Sequence, residues 1–330
     1  MIGTLVQPAI TGGEPMPNGA KHGGYERLLA AAKAEPPVRM AVVHPCSVEA
    51  LEAALEARDE RLIVPILVGP ESRMRALAGE AGLDLAGVEV VATEHSHASA
   101  KAAIGLVRTG RAAARMKGSL HTDELLHAIL DKEAGLRTDR RVSHAFVLDV
   151  PSYPRPLMIT DAAVNIYPTL ADKRDIVQNA IDLAHSVGIA SPRVAILSAV
   201  ETVNPDIRST VDAAALCKMA ERGQITGARL DGPLAFDGAV SAEAARIKGI
   251  QSEVAGCADI LVVPDLESGN MLVKQLTFLD NADSAGIVLG ARVPIVLTSR
   301  ADSVRNRLAS VALGVLLVHA KLREKPAVPA

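Results

Sequence analysis

Apolar residues along this chain follow two alternating patterns. Short apolar runs bounded by turn residues predict buried strands, and segments in which apolar residues recur every three or four positions predict helices. Strands are predicted at 39–44, 62–68, 88–92, 112–116, 145–149, 157–160, 193–197, 229–231, 260–263, 287–289 and 294–297. Helices are predicted at 24–34, 47–58, 71–81, 98–109, 122–134, 170–187, 205–222, 241–248 and 270–279, with a last one opening at Asp302 or Ser303.

The alternation of strands and helices predicts an α/β protein in which helices cover a parallel sheet. One connection departs from it: only residues 151–156 separate the strands at 145–149 and 157–160. A parallel crossover needs a dozen or more residues, so these two strands are expected to be antiparallel. We place a domain boundary near this hairpin and expect two α/β domains with a cleft between them.

The composition of the chain argues against several classes of protein. The chain has 330 residues, 35 basic and 38 acidic, with a net charge of -3, which does not indicate a nucleic-acid or membrane-surface binder. Its three cysteines are widely spaced, which argues against a disulfide framework. No signal peptide and no apolar run of membrane-spanning length is recognisable, so a cytoplasmic protein is expected.

Several familiar motifs fail on inspection. Residues 105–111 have the two glycines of a P-loop, but Arg111 and Ala112 stand where Lys and Ser or Thr are required. There is no G-x-G-x-x-G fingerprint. His95 and His97 are too few for a metal site, since no Cys or carboxylate at ligand spacing completes the set. We expect no metal.

Polar residues follow many of the predicted strands. In a parallel sheet these turns meet at the carboxyl edge, where ligands bind. Each has an ordinary reading as a turn or cap residue, but together they predict a polar substrate site. The candidates are Lys117, Ser119, His121, Thr160, Asp161, Asn165, Ser198, Asp265, Asn270, Ser299, Arg300 and Asp302.

The turn at Ser299 and Arg300 is the strongest candidate. It follows the apolar run 294–297 and precedes a helix capped by Asp302 or Ser303. Free backbone N–H groups at a helix start, a hydroxyl and a guanidinium suit a phosphate or another compact anion.

Five segments together resemble the phosphate acetyltransferase and phosphate butyryltransferase family. They are 116–122 (MKGSLHT), 159–165 (ITDAAVN), 230–237 (LDGPLAFD), 254–270 (VAGCADILVVPDLESGN) and 293–300 (VPIVLTSR). The first two look like the butyryl-type branch, or like the acyltransferase module of bifunctional enoyl-CoA hydratase/phosphate acetyltransferases. The resemblance runs from about residue 116 to 310.

The resemblance implies a fold like that of isocitrate and isopropylmalate dehydrogenases. The first domain would be 1–144 plus 290–330, and 145–289 would form a second, dimer-forming domain. It implies reversible transfer of a short acyl group, acetyl or butyryl, between coenzyme A and phosphate. Both are substrates, and no cofactor, nucleic acid or membrane partner is expected.

In this family a Ser-Arg pair serves the reaction, which here is Ser299 and Arg300. Arg300 is expected to grip the phosphate, and Ser299 to donate to the carbonyl oxygen or the phosphate. The family's acetyltransferases carry an aspartate six residues after that arginine, where this chain has Asn306. Asp302, or Asp161 from across the cleft, would then take the thiol proton, unless solvent does.

Two other function classes stay open at this level. One is a metal- and nicotinamide-dependent oxidoreductase acting on a 2-hydroxy acid on a similar fold, although no D-x-x-x-D ligand set is visible. The other is a non-catalytic acyl-CoA or anion-binding protein, which Asn306 leaves possible.

Overall fold

The computed structural model describes residues 23–298 and 302–324. The helices are α1 (Gly24–Lys33), α2 (Val48–Asp59), α3 (Glu71–Glu80), α4 (Ser96–Arg108), α5 (Thr122–Leu130), α6 (Leu170–Ser186), α7 (Arg208–Glu221), α8 (Phe236–Val240), α9 (Ala242–Ile247), α10 (Leu266–Leu279) and α11 (Val304–Glu324). The strands are β1 (Val38–Val43), β2 (Ile63–Gly69), β3 (Glu89–Ala92), β4 (Ala114–Lys117), β5 (Ser143–Asp149), β6 (Leu157–Thr160), β7 (Arg193–Leu197), β8 (Arg229–Leu234), β9 (Ile260–Val262), β10 (Asp283–Leu289) and β11 (Ile295–Val296).

The chain forms two compact units. The first unit comprises Leu28–Arg140 and the described residues from Ala285 onward; the second comprises Arg141–Ser284 and the described residues up to Arg27. The predicted divisions at 144/145 and 289/290 fall four and five residues later than those of the structure, at 140/141 and 284/285. The start of α1 belongs to the second unit, where the Gly24 N–H donates to the Asp149 carboxylate.

The first unit orders its strands β3-β2-β1-β4-β11-β10. All neighbouring pairs are parallel except β11 with β10. Its core is aliphatic, with Met40, Val42, Ile66 and Leu67 fully buried. At Gly314 of α11 a Cβ atom would lie 3.0 Å from Val296, so the helix packs closely on β11.

The second unit orders its strands β5-β6-β9-β7-β8. Strand β5 is antiparallel to β6, which confirms the predicted hairpin, and the other neighbouring pairs are parallel. An apolar cluster that includes Leu148, Ile159, Leu197 and Leu261 forms part of its core. The mixed α/β class with mostly parallel strands is therefore confirmed.

Some element boundaries differ from prediction for local reasons. Helix α5 ends at Leu130, not 134, because the Asp131 carboxylate accepts the N–H groups of Glu133 and Ala134 in a turn. Helix α10 begins at Leu266, not 270, because Asp265 caps it. The five-residue helix α8 is too short to show a helical period and was not predicted. No helix in the described part of the chain combines the length and apolarity needed to cross a membrane.

Candidate functional site

The first unit contains an open pocket of ≈ 320 Å³ at the carboxyl ends of β4 and β11. It is lined by Ser47, Glu49, Ala50, Ala53, Met116, Lys117, Gly118, Ser119, Thr298 and Arg307. These residues come from four places in the sequence: the start of α2, the end of β4 with the two residues after it, the second residue after β11, and the first turn of α11. The pocket lies where parallel α/β sheets generally bind ligands.

The end of β4 lies directly on the backbone that follows β1. A Cβ atom at Gly118 would come within 2.7 Å of the His44 carbonyl, so only glycine permits this approach. The Ser119 hydroxyl donates to the His44 carbonyl oxygen at 2.8 Å and accepts the Cys46 N–H at 3.0 Å. These two bonds fix Ser119 at the pocket wall.

The N-terminus of α2 forms another wall. Ser47 caps the helix, its hydroxyl accepting the Ala50 N–H at 3.4 Å. The Glu49 carboxyl has a lowered pKa because its own backbone N–H and the Ser47 hydroxyl hydrogen-bond to it. Glu49 lies in the first turn of α2, where the positive end of the helix dipole favours its negative charge.

Two cationic residues line the pocket. Lys117 is only 7% exposed, and its Nζ lies 3.5 Å from the carbonyl oxygen of Gly118, another lining residue. Arg307, on α11, donates from Nη1 to the Glu49 carbonyl oxygen at 3.2 Å. That bond ties the first turn of α11 to the first turn of α2 and places the guanidinium beside the pocket.

The predicted catalytic turn adjoins the pocket in sequence. Thr298, 9% exposed, lines the pocket and directly precedes Ser299. Ser299 and Arg300 lie outside the described residues. Asp302 is half-buried, and Asn306 is buried in the first turn of α11, where its N–H donates to Ser303 Oγ at 3.1 Å.

Among the candidate substrate-binding residues of the first unit, Lys117 and Ser119 line the pocket and His121 does not. His121 precedes α5, is exposed, and makes no capping hydrogen bond to that helix.

In the second unit, Asp161 follows β6 and is 3% exposed. Its Oδ1 accepts the backbone N–H groups of Ala163 and Val164, each at 3.0 Å, and its Oδ2 accepts the N–H and the side-chain amide of Asn165. Burial raises the pKa of this carboxyl, while the four hydrogen bonds oppose that rise. Both carboxylate oxygens are thus engaged in holding their own loop.

The neighbours of Asp161 are equally engaged. Thr160 Oγ1 donates to the His144 carbonyl oxygen at 2.8 Å. Asn165 donates to the Val142 carbonyl oxygen and accepts from Arg141 Nε at 2.7 Å. Asn270 of α10 donates to the Ala162 carbonyl oxygen at 3.3 Å. The structure brings these predicted residues into one loop cluster.

Two further predicted residues lie elsewhere in the second unit. Ser198, after β7, shares a 2.8 Å hydrogen bond with Ser209. Asp265 caps α10 by accepting both the N–H and the hydroxyl of Ser268.

Three pocket residues, Arg307, Ser47 and Glu49, were not predicted from the sequence. Arg307 falls in a segment whose apolar period predicts a core helix, and Ser47 and Glu49 match an ordinary helix start. Their positions in the sequence could have identified them, because each lies within one turn of a helix start that follows a predicted strand. Among residues 23–298 and 302–324, no group of three or more His, Cys, Asp or Glu side chains could hold a metal ion.

The fold is a mostly parallel α/β fold, and its pocket is lined by the cationic residues Lys117 and Arg307 and by the apolar residues Ala50, Ala53 and Met116. Residues 96–315 match the family model described as phosphate acetyl/butaryl transferase, and the chain belongs to this family.

Individual relatives agree. A phosphate acetyltransferase of Rhizobium meliloti is 63% identical over 292 residues, covering 88% of this chain and 92% of that protein. A phosphate butyryltransferase of Clostridium acetobutylicum is 41% identical over 293 residues, covering 89% and 97%. The crystal structure of a branched-chain phosphotransacylase from Enterococcus faecalis V583 superposes with a TM-score of 0.75 at 33% identity, covering 86% of this chain and 99% of that one.

The chain is therefore an enzyme, a phosphate acyltransferase, and its reaction is reversible acyl transfer between acyl-CoA and phosphate. The oxidoreductase and the non-catalytic binding protein are not favoured.

Proposed function

We propose that the pocket of the first unit binds the phosphate or phosphoryl end of the substrates. The observation that carries this proposal is the convergence of two cationic side chains, Lys117 and Arg307, on one open pocket. Cationic side chains recognise phosphate oxygens through charge-assisted hydrogen bonds.

Ser299 and Arg300 act at the same pocket in this proposal. Their support is sequence continuity, since Thr298 lines the pocket and Ser299 is the next residue. Arg300 holds the phosphate oxygens, and Ser299 donates to the carbonyl oxygen, where negative charge develops in the transition state. The remaining contribution is the positioning of two substrates in one site.

The chemical step joins the coenzyme A sulfur to the acyl carbon and breaks the bond from that carbon to the phosphate oxygen. Phosphate leaves with the bonding electrons, and the thiol proton must leave the sulfur, whose reference pKa is about 8.5. We propose Asp302 as the acceptor of that proton. Asn306 has no basic group, and the four hydrogen bonds of Asp161 support a role in its loop.

The acyl group is proposed to be short, acetyl or butyryl. Relatives with either name align along most of the chain. The higher identity to the acetyltransferase favours acetyl, while segments 116–122 and 159–165 resemble the butyryl-type branch. Rates with acetyl-, propionyl-, butyryl- and hexanoyl-CoA distinguish the two.

The remaining expectations are also proposals. The enzyme is proposed to work in the cytoplasm without metal or cofactor and without nucleic-acid or membrane partners. It is proposed to be a homodimer formed through the second domain. The substrate cleft between two domains, as in isocitrate and isopropylmalate dehydrogenases, likewise stays a prediction.

Helix α10 supports the proposed dimer. Its residues Met271 and Phe278, seven positions apart on one face, are 66% and 72% exposed. Light scattering of the wild type and of Phe278→Glu tests this.

The reaction is tested by incubating the purified protein with acetyl-CoA or butyryl-CoA and detecting free thiol. Release that requires added phosphate and survives chelator supports the proposal. No thiol from any short acyl-CoA would contradict it, and loss of activity with chelator would contradict the metal-free mechanism.

A further inference from the structure

We infer that Ala50 and Ala53 of α2, with Met116 of β4, form the subsite for the hydrocarbon chain of the acyl group and set its maximum length. This inference rests on the proposed binding of the phosphoryl group in the same pocket. It concerns a different part of the pocket wall and can fail separately.

The three residues form the apolar part of a pocket whose other lining residues are mainly polar or charged. Met116 and Ala53 are 1% and 2% exposed, and Ala50 is half-buried. A small acyl phosphate has the same division, with an anionic head and an aliphatic tail. If the anionic head binds at Lys117 and Arg307, the aliphatic tail contacts the two alanines and the methionine.

The register of the strands explains why Met116 faces this pocket. Met116 pairs with Val42 of β1 and Val296 of β11, so the three share one face of the sheet. Val296 contacts α11 at Gly314, which identifies this face as the one that α11 covers. Helix α2 contacts α11, and Ala50 and Ala53 of α2 line the same pocket as Met116.

The two alanines determine how much room the tail has. Residues three positions apart lie on the same helix face, about 4.5 Å apart along the axis. Each contributes a single methyl group, so this stretch of α2 is smooth. Its length is comparable with an extended four-carbon acyl chain, and a longer side chain at either position would take the space of the tail.

The test compares kcat/KM for butyryl-CoA and acetyl-CoA in the wild type, Ala50→Leu and Ala53→Val. One methylene in an apolar pocket is worth about 10-fold or more in discrimination. We expect the butyryl-to-acetyl ratio to fall about 10-fold or more in Ala50→Leu, and in the same direction in Ala53→Val. Met116→Ala should shift the preference toward hexanoyl-CoA, while Met116→Leu should shift it much less.

The matched control is Ala102→Leu, which places the same side chain on α4, at a half-buried position that does not line the pocket. Its chain-length ratio should equal that of the wild type. If Ala50→Leu and Ala53→Val fold, release thiol and keep the wild-type ratio, the subsite is not there. If the wild type releases no thiol, the proposed function fails and the subsite with it.

A measurement on the unmodified protein guards against misfolded variants. Straight-chain alkylphosphonates from methyl to hexyl should inhibit the wild type competitively. We expect the inhibition constant to fall with each carbon up to four and to rise beyond that length. A constant that does not depend on chain length would overturn the inference.

Discussion

Polar residues follow strands in both units, but they are used in different ways. After β6, Asp161 and Asn165 exhaust their hydrogen-bonding capacity on the surrounding chain, each with protein partners at every polar side-chain atom. At the end of β4, Lys117 and Ser119 line an open pocket together with Arg307. A polar residue at a strand end indicates a functional site only when its side chain borders open space that a ligand can fill.

The largest effect is expected from a substitution that disrupts the loop cluster around Asp161. Asp161→Ala leaves four N–H donors without their acceptor, and buried donors left unsatisfied cost about 1–3 kcal/mol each. We expect the free energy of unfolding to fall by about 3 kcal/mol or more, measured by urea denaturation. Asp302→Ala, in the first unit, should change stability less and activity more. A fully stable but inactive Asp161→Asn protein would contradict the contrast between the units.

Arg300→Ala tests the proposed substrate site of the first unit. Removing a donor from the developing charge should lower the rate of phosphate-dependent thiol release about 10²-fold or more, with a rise in the KM for phosphate. Arg222→Ala, at the exposed end of α7, is the control and should behave as the wild type. An unchanged rate in Arg300→Ala would remove this residue from the site.

In the second unit, His144 is an exception to the pattern of fully hydrogen-bonded polar side chains. It is fully buried, and neither ring nitrogen has a hydrogen-bond partner among the described residues. Burial lowers its pKa from 6.5 to about 3, so between those values the unfolded chain binds a proton that the folded protein does not. Stability should therefore fall as the pH drops below 6.5, by about 2 kcal/mol between pH 7 and pH 5. In His144→Phe, denaturation at the two pH values should show a smaller difference, and an equal difference would refute this assignment.

The smallest expected effect concerns Arg307. Arg307→Gln removes one of the pocket's cations, and a hydrogen bond to a charged group is worth about 1.5–3 kcal/mol. We expect the KM for phosphate to rise about 10-fold, with kcat changed less, and Arg307→Lys to recover part of the loss. Arg323→Gln, at the far end of α11 where Arg323 pairs with Glu35, should leave the KM as it is. Equal effects of both substitutions would indicate a general electrostatic contribution.

Most of the secondary structure was predictable because apolar period and turn residues agree locally. The hairpin at β5 and β6 followed from the length of one loop, and the start of α5 from Thr122 after a polar turn. The end of α5 and the start of α10 were misplaced, since single carboxylates, Asp131 and Asp265, decide them through hydrogen bonds.

The site was only partly predictable. Lys117 and Ser119 follow a strand and were identified on that ground, but so was Asp161, whose oxygens bind its own loop. Sequence position does not reveal how many hydrogen bonds a side chain completes. Arg307 was missed because its contact with Glu49 joins segments 258 residues apart.

The central claim is that substrate occupies the pocket bordered by α2 and β4. It is tested most directly by placing a cysteine on the pocket wall with Ala50→Cys and measuring its alkylation by iodoacetamide, peptide by peptide, by mass spectrometry. Butyryl-CoA without phosphate is the protecting ligand, because no free thiol forms. The same measurement on Ala102→Cys is the control. The account predicts that saturating butyryl-CoA slows alkylation at position 50 and not at position 102. Alkylation at position 50 at the same rate with and without butyryl-CoA would contradict it.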